Sequence, residues 1–353
     1  MYLFRKDLEQ LKAPEISVPK AERMMCLNES CVNPLEIVSA DFDEIMQRAP
    51  QNRYQADVSG ELRQALADYA GVDAAQILFG NGADDLIYHL FVAVREDANS
   101  FATVLAPSYF DYKTFAREVG LQTRFVNLDR EFGFDLDEYI SLAREANCKL
   151  AILCNPNNPT GNLFDMNDLR HIIRSIPDKP ILVDETYFEY SKVSLVKELG
   201  EFPNLIIIRS FSKAFAAAGL RFGYVVSSAE NILQLRKVQT TFHTSLLVQA
   251  FALAILRNRE SFLKIVSQTI AIRDELYHWL IGVEGIRVKN SSTNFLTFSL
   301  GEQSSELFNY LITQGIALRD VGAHPVLKDH LRVTISCMED VEAFKIALVK
   351  FLG

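Results

Sequence analysis

Short apolar runs alternate with longer amphipathic stretches through the middle of this chain. The runs are rich in β-branched residues and predict seven strands, at residues 76–79, 101–106, 122–126, 150–154, 181–184, 205–209 and 221–226. The stretches between them predict helices, including residues 60–70, 83–94, 109–119 and 167–176. This alternation indicates an α/β fold with a mostly parallel seven-stranded sheet flanked by helices.

The pattern changes after Ser245, where an amphipathic stretch continues to about Leu280 and predicts one long helix. A smaller α+β unit is expected beyond it, with strands near residues 286–289, 294–299, 316–319 and 331–335. The segment up to Arg48 is expected to join that unit. We therefore predict three parts, which are an arm and part of the small domain (1–48), a large domain (49–245), and a linking helix with the C-terminal small domain (246–353).

Composition narrows the class of protein. The 353 residues are 49% hydrophobic and 23% charged, which is ordinary for a globular chain large enough for two domains. A net charge of -9 argues against nucleic acid as the main partner. Charges interrupt the first fifteen residues, and no apolar run is long enough for a bilayer, so we expect a cytoplasmic protein with no membrane partner. Five scattered cysteines and six histidines lack metal-ligand spacing, so we expect reduced thiols and no metal site.

The chemically richest segment follows the predicted strand at 205–209. Ser210, Ser212 and Lys213 come directly after it, and Arg221 follows eight positions after the lysine. An amine beside two hydroxyls and a guanidinium suits Schiff-base chemistry on a phosphorylated cofactor. The segment Gly80–Asp84 adds glycines before a predicted helix, where backbone N–H groups are free to bind an anion.

Four sequence motifs, taken together, identify a family resemblance. They are Asn-Asn-Pro-Thr-Gly at 157–161, Asp-Glu-Thr-Tyr at 184–187, Ser-Phe-Ser-Lys at 210–213, and Asn-Phe-Leu at 294–296 with Leu-Arg-Val-Thr at 331–334. This set resembles the fold-type I, pyridoxal-phosphate-dependent aminotransferases, and most closely histidinol-phosphate aminotransferase and its relatives. The resemblance extends from about Asn28 to the C-terminus. It implies pyridoxal 5'-phosphate as cofactor, bound by the large domain.

The resemblance implies roles for three catalytic candidates. Lys213 would be the Schiff-base lysine and the proton shuttle at the substrate α-carbon. Asp184 ends a predicted strand at the carboxyl edge of the sheet, where α/β folds bind ligands, and would keep the pyridine nitrogen protonated. Tyr187 resembles the tyrosine that donates to the phenolic oxygen of the cofactor. The alternative for Asp184 by itself is a helix cap.

Further cofactor contacts also follow from the resemblance. Asn158 matches the asparagine that hydrogen-bonds the phenolic oxygen, and Tyr109 matches the aromatic residue that stacks on the pyridine ring. Tyr54 resembles the tyrosine that reaches the cofactor phosphate of a neighbouring subunit, which implies a homodimer with shared active sites. The phosphate itself would be surrounded by the amides of Ala83 and Asp84 and by Ser210, Ser212 and Arg221.

Substrate contacts are expected from two arginines and two asparagines. Arg332 corresponds to the arginine that binds the substrate's anionic group, because a planar guanidinium gives bidentate recognition. Asn294 would orient that anion, and Asn28 lies in the segment that lines the substrate side chain. Arg319 resembles a second anion-binding arginine, for which a surface salt bridge is the alternative. Whether the two arginines bind one phosphate or separate groups is left open.

Two segments depart from the family pattern. Relatives usually show Asn-Glu-Asn-Pro near the N-terminus, whereas this chain has Asn28-Glu-Ser-Cys-Val-Asn-Pro34. At 240–245 it has Thr-Thr-Phe-His-Thr-Ser where relatives carry a Pro-Tyr/Phe string. The first departure affects the choice of substrate rather than the cofactor machinery.

The expected function is transfer of an amino group from histidinol phosphate, or a related amino acid, to 2-oxoglutarate. One alternative is an aminotransferase for an aromatic or specialised L-amino acid. Another is a pyridoxal-phosphate lyase similar to threonine-phosphate decarboxylase. A non-catalytic regulator on the same fold is a third, but regulators of that kind carry a fused DNA-binding domain, for which the N-terminal segment is too short.

Overall fold

The computed structural model describes residue 8, residues 20–54 and residues 57–353. Its strands are β1 Arg23–Met24, β2 Ile77–Gly80, β3 Phe101–Ala106, β4 Gln122–Asn127, β5 Cys148–Cys154, β6 Ile181–Asp184, β7 Leu205–Ser210, β8 Gly223–Ser227, β9 Arg287–Val288, β10 Phe295–Ser299, β11 Ile316–Ala317, β12 Arg319–Asp320 and β13 His330–Thr334. Its α-helices are α1 Leu35–Arg48, α2 Asp57–Ala70, α3 Ala83–Val94, α4 Asp111–Val119, α5 Leu136–Arg144, α6 Met166–Ser175, α7 Phe188–Ser191, α8 Ala229–Arg236, α9 Leu246–Arg257, α10 Arg259–Ile281, α11 Ser304–Thr313 and α12 Met338–Leu352.

The central sheet has seven strands in the order β2-β8-β7-β6-β5-β3-β4. Strand β8 runs antiparallel to both of its neighbours, and the other neighbouring strands pair in parallel. Alternate residues of each central strand point into two separate apolar clusters, one on each face of the sheet. Burial on both faces explains why these strands are continuous apolar runs in the sequence. The predicted mostly parallel seven-stranded sheet is confirmed.

A second region contains a four-stranded antiparallel sheet in the order β12-β13-β10-β9 and a short parallel pair, β1 with β11. Its own apolar cluster includes Met25, Leu296, Phe298, Val333 and Phe344. Because β1 comes from the start of the described chain, the N-terminal arm brings residues 25–28 beside β13.

The long helix predicted beyond Ser245 is wrong in one respect, because two helices, α9 and α10, meet at Asn258. The Asn258 side-chain amide donates to the carbonyl of Ala254 at 2.9 Å and to the Asp41 carboxylate at 2.7 Å. This side chain bonds the backbone locally and ties the junction to α1, so the helix ends there. The predicted strand at 316–319 is likewise divided, into β11 and β12.

Helix α1 differs from the expected grouping of the N-terminal segment. Its buried residues Val38 and Ile45 belong to the large cluster beside the central sheet, together with residues of α9. The part of the N-terminal segment that joins the smaller region is therefore the stretch around β1, not α1. The domain boundaries at 48/49 and 245/246 stay a prediction.

Two features are absent from the described part of the chain. Among the helices it contains, none has the length and apolar character needed to cross a membrane. The same residues contain no group of three His, Cys, Asp or Glu side chains arranged to hold a metal ion.

Candidate active site

The candidate residues converge at the carboxyl edge of the central sheet. Asp184 is the last residue of β6, Ser210 is the last of β7, and Lys213 follows three residues later. Asn158 lies four residues beyond the end of β5, in the loop that follows it. Neighbouring parallel strands end at the same edge, so side chains that are far apart in sequence meet there.

Asp184 is a buried carboxylate, 4% exposed, and both of its oxygens accept hydrogen bonds. The Tyr112 hydroxyl donates to Oδ2 at 2.6 Å, and the backbone N–H of Thr186 donates to Oδ1 at 3.0 Å. Burial raises the pKa of this carboxyl, and both donors oppose the rise. Among the described residues, no cation lies within ion-pair distance of Asp184. A protonated ring nitrogen would supply the missing positive charge.

Lys213 presents a half-buried amine whose Nζ donates to the carbonyl of Leu27 at 2.9 Å. Burial, and then the nearby Arg332 guanidinium, lowers the pKa of Lys213 from 10.5 to about 8. A lysine in this range is partly neutral near physiological pH, which a nucleophilic or proton-accepting amine requires.

The candidate phosphate site lies where α3 begins. Gly82 precedes the helix with φ 94°, a left-handed conformation suited to glycine, and it provides no capping side chain. The first-turn amides of Ala83 and Asp84 therefore have no side-chain cap. A Cβ at Gly223, on adjacent β8, would lie 2.6 Å from the Ala83 nitrogen, so only glycine allows this close approach.

The side chains around that helix start are linked to one another. Arg221 Nη2 donates to the Asp84 carboxylate at 2.8 Å, and Arg221 Nη1 lies 3.5 Å from the Ser212 hydroxyl. Ser210 Oγ accepts the backbone N–H of Ser212 at 3.1 Å. All the residues expected around the phosphate are thus brought together, with a guanidinium and two hydroxyls beside a free helix N-terminus.

Tyr109 and Tyr54 occupy different environments. The Tyr109 hydroxyl donates to Asp84 Oδ1 at 3.1 Å, and its ring meets that of Tyr112 edge to face at 5.4 Å. Tyr109 is therefore fixed beside Tyr112, the tyrosine that donates to Asp184. Tyr54 is 78% exposed and stacks on Phe242 with ring centroids 3.9 Å apart, away from the side chains gathered around Asp184.

Asn28 is held by the residues expected to act beside it. Its Nδ2 donates to the Tyr187 hydroxyl at 2.8 Å, and its carbonyl accepts from Asn294 Nδ2 at 3.0 Å. Its backbone N–H donates to Thr334 Oγ1 at 2.9 Å. The residue is buried with φ 57°. Asn28 thus joins the N-terminal arm to Tyr187 and to the smaller sheet, and a direct substrate contact stays a prediction.

Arg332 is a buried guanidinium without an anionic partner. Its Nη1 donates to Asn158 Oδ1 at 2.6 Å and its Nη2 to the carbonyl of Cys26 at 2.8 Å, while its Nε is buried with no hydrogen-bond partner. Of the described residues, no carboxylate pairs with it. Burial lowers the pKa of Arg332 to about 10. The nearby Asn294 Oδ1 is also buried and unpaired.

Arg319 lies directly opposite Arg332 in the antiparallel ladder of β12 and β13. Residues in such positions share a face of the sheet, and like charges there repel each other. The Arg319 side chain is half-buried, and its charge contributes to lowering the Arg332 pKa. None of the ion pairs found in the described residues involves Arg319, so its expected alternative, a surface salt bridge, is absent from that part of the chain.

Sequence reasoning missed three contributors to this site. Tyr112 binds Asp184, and the backbone carbonyls of Leu27 and Cys26 bind Lys213 and Arg332. Tyr112 follows Tyr109 by three residues within the helix predicted at 109–119, a spacing that predicts one shared face, although α4 itself begins only at Asp111. That spacing was a usable signal, whereas a backbone carbonyl carries none.

The site fits pyridoxal phosphate. A buried carboxylate lacks a cation, a lysine has a lowered pKa, and a helix start stands open beside two hydroxyls and a guanidinium. The residues that would hold the ring nitrogen, the aldehyde and the phosphate are, in that order, Asp184, Lys213, and Ser210 with Ser212 and Arg221.

Comparisons with known proteins agree with this fit. The family model described as aminotransferase class I and II matches residues 25–348. Histidinol-phosphate aminotransferase of Thermoanaerobacter pseudethanolicus is 33% identical over 340 residues, covering 96% of this chain and 95% of that protein. The structure of histidinol-phosphate aminotransferase from Sinorhizobium meliloti in complex with pyridoxal-5'-phosphate has a TM-score of 0.87 at 22% identity, over 100% of this chain and 99% of that one. L-threonine-O-3-phosphate decarboxylase from Porphyromonas gingivalis has a TM-score of 0.79 at 23% identity, over 94% and 99%.

Proposed function

Because this chain belongs to the class I and II aminotransferases and is a pyridoxal-phosphate enzyme, we propose that it transfers the amino group of histidinol phosphate to 2-oxoglutarate. Curated relatives at 33% identity across nearly the whole chain bear the name of that activity. The site's own geometry supports the same class of donor.

The observation that carries the proposal is the pair Arg332 and Arg319. The two arginines are register partners on one face of the strand ladder, and in the described residues neither forms an ion pair with a carboxylate. Arg332 also keeps a buried Nε with no partner. A phosphate dianion would neutralise both arginines and accept several N–H groups at once, whereas a single carboxylate brings half that charge. This arrangement favours a phosphorylated donor.

The chain's own residues would divide the chemistry among them. When bound, the cofactor supplies the electron sink for charge that develops at the substrate α-carbon. Asp184 holds the ring-nitrogen proton, and Arg332 orients the donor by its anionic group. Lys213 would accept the α-proton on Nζ and would donate a proton from the same atom in the next step, which its lowered pKa permits. Tyr187 and Asn158 would add polar groups to the site beside Asn28 and Arg332, from which they accept hydrogen bonds.

A half-reaction screen on the purified, cofactor-loaded protein tests this proposal. Each candidate donor is mixed with the enzyme, and loss of the visible absorption band of the bound cofactor is followed. We expect rapid loss with histidinol phosphate and recovery of the band on addition of 2-oxoglutarate. Failure of histidinol phosphate to bleach the band, with a fast response to another donor, would overturn the assignment of substrate.

The alternatives are distinct outcomes of the same screen. A response to aromatic amino acids would indicate an aromatic aminotransferase, in which Arg332 binds the carboxylate. Threonine phosphate giving an amine and carbon dioxide without an oxo product would indicate a decarboxylase. The arginine pair would bind the phosphate of threonine phosphate as well as that of histidinol phosphate, so the products of the reaction separate these two, and both alternatives serve as comparison substrates.

We also propose that the enzyme acts in the cytoplasm as a homodimer with shared active sites. Tyr54 and Phe242 support an interface, because two large aromatic side chains, 78% and 63% exposed, are stacked on each other at the surface. Analytical ultracentrifugation should give a dimer mass. A strictly monomeric protein with full activity would contradict the proposal.

A further inference from the structure

Tyr112 is a fully buried tyrosine that none of the proposed contacts to cofactor or substrate employs. It lies in the first turn of α4, at the face of the central sheet, where it packs in one apolar cluster with Ile152 and Leu182. Its hydroxyl donates to Asp184 Oδ2 at 2.6 Å and also lies within hydrogen-bonding reach of the Cys154 thiol.

The Asp184 carboxylate depends on few donors. Tyr112 donates to Oδ2 and the Thr186 backbone donates to Oδ1, and the Thr186 side chain also forms a hydrogen bond that favours the charged form. The titratable groups that face Asp184 are Asp84 on α3, Tyr112 on α4, Cys154 on β5 and Tyr187 after β6. None of these is a cation, and the Asp84 charge disfavours a second anion nearby. Hydrogen bonds to the charged form therefore oppose the rise that burial causes in the pKa of Asp184.

A second buried tyrosine has the hydrogen bond that is usual for a phenol in a protein core. Tyr139, on the opposite face of the sheet, is equally buried, and its hydroxyl donates to the backbone carbonyl of Ile152 at 2.9 Å. A core phenol needs only such a carbonyl. Tyr112 instead donates to a carboxylate in the candidate site, where a charge-assisted bond is shorter and stronger.

Tyr112 is also in contact with Tyr109, the residue expected to stack on the cofactor ring. The rings of Tyr109 and Tyr112 meet edge to face, with centroids 5.4 Å apart and planes at 87°. Tyr109 lies two residues before α4, and the backbone N–H of Tyr112 donates to the Tyr109 carbonyl at 3.4 Å, so one hydrogen-bonded turn links the two residues. The turn thereby places the ring that would cover the cofactor and the phenol that binds Asp184 in one unit.

We propose that Tyr112 is a positioning residue that fixes the Asp184 carboxylate for the ring nitrogen of the cofactor and keeps the shared proton on that nitrogen. The proposal rests on the role proposed above for Asp184. Removing the phenol would make Asp184 a stronger base, because a donor to its charged form is lost. The proton would then move towards the carboxylate, and the neutral ring would be a poorer electron sink.

The test compares Tyr112→Phe with the matched control Tyr139→Phe in the full chain. Cofactor affinity is measured by equilibrium dialysis, and the protonation of an isotopically labelled ring nitrogen is read by NMR. We expect Tyr112→Phe to weaken cofactor binding about tenfold and to move the nitrogen resonance towards its unprotonated position. Tyr139→Phe should change neither, although it removes an equally buried hydrogen bond. Unchanged affinity and resonance in Tyr112→Phe would overturn the proposal.

Asp184→Asn separates this proposal from the one on which it rests. If Asp184 does not bind the ring nitrogen, Asp184→Asn will keep the wild-type resonance, and both proposals fail. If Asp184→Asn loses the protonated resonance, the double variant Tyr112→Phe/Asp184→Asn completes a mutant cycle. We expect the phenylalanine substitution to have no further effect on affinity in that background. A full tenfold loss there would show that Tyr112 acts only through general packing. Thermal melts of the cofactor-free variants report whether each has folded.

Discussion

Two buried polar clusters lie side by side at the carboxyl edge of the central sheet, and they are satisfied in opposite ways. Asp184 and Glu185 are consecutive, as are Arg209 and Ser210, but one member of each pair faces the candidate site and the other faces the interior. The charges of the interior pair, Glu185 and Arg209, neutralise each other, and we call this pair with its hydrogen-bond partners the closed cluster. In the candidate site, by contrast, Asp184, Lys213 and Arg332 form no ion pair with any described residue, and we call these three the open cluster.

The closed cluster satisfies both of its charges with protein groups. Arg209 donates through Nε at 3.0 Å and Nη2 at 2.9 Å to Glu185 Oε2, and Nη2 also donates to Ser194 Oγ at 2.8 Å. Glu185 Oε1 accepts from the backbone of Leu195 at 2.9 Å, and the guanidinium lies 3.7 Å from the ring centre of Phe188. A buried ion pair is tolerated when its remaining atoms are satisfied in this way.

The open cluster lacks this completion. Asp184 has no cation, Arg332 has no anion, and Lys213 has a lowered pKa instead of a carboxylate partner. Buried charges without partners are costly, and they are retained where a ligand supplies the missing charge. Asp184 and Glu185 are adjacent in the sequence, but Glu185 belongs to a structural network and Asp184 to a candidate binding site.

The largest effect expected is loss of chemistry without loss of fold. Lys213→Ala should lower the rate of the half-reaction at least about 10³-fold, because the amine that moves the proton is removed. The melting temperature of the cofactor-free protein should stay close to that of wild type, since Lys213 forms no ion pair in the described structure. Stopped-flow absorbance and a thermal melt measure the two. Substantial turnover in the variant would remove Lys213 from the mechanism.

Removing one charge of the closed cluster should instead lower the stability of the fold. Arg209→Met leaves the Glu185 carboxylate buried and unpaired, so we expect the free energy of unfolding to fall by about 3–5 kcal/mol. The control is the double variant Arg209→Met/Glu185→Gln, which removes both charges and should recover much of that loss. Urea titrations followed by circular dichroism give the values. Equal losses in the single and double variants would mean that the pair is not what stabilises this edge.

Arg332→Lys tests the open cluster at the substrate side. Lysine keeps the charge but loses the planar pair of N–H donors, so kcat/KM for the phosphorylated donor should fall about 10²-fold. Arg319→Lys should cost less, because that side chain is only half-buried. Steady-state kinetics with both variants measures this order. A larger loss for Arg319→Lys would make Arg319, not Arg332, the principal anion ligand.

The sequence predicted the sheet more closely than it predicted the contacts that complete the site. The bounds of β3 and β6 agree with the predicted ranges because these strands are buried on both faces and read as unbroken apolar runs. The junction at Asn258 was missed because it depends on Asp41, 217 positions away. The side chain of Asn28 was expected at the substrate, but its polar atoms bond Tyr187 and Thr334. Pairings of this kind follow from the folded arrangement and leave no periodic pattern.

Glu189 gives the smallest expected effect and tests whether the closed cluster is complete. This buried carboxyl lies near the Glu185–Arg209 pair, with the Tyr69 hydroxyl donating to its Oε1 at 3.1 Å. One guanidinium already neutralises Glu185, so burial raises the pKa of Glu189 from 4.5 to about 7 despite the nearby Arg209. The folded state therefore holds a proton that the unfolded state releases as the pH rises from about 4.5 to about 7. Folding loses stability across that window, and below it the group contributes no penalty.

Glu189→Gln should remove that pH dependence, because glutamine imitates the protonated acid and still accepts the Tyr69 hydrogen bond. Relative to wild type, the variant should be no more stable near pH 4.5 and more stable by about 1–3 kcal/mol above pH 7. Thermal melts across the range measure the difference, with the exposed Glu302→Gln as control. A constant difference at every pH would mean that Glu189 is ionised throughout, and the interior cluster would then hold an unneutralised charge as the candidate site does.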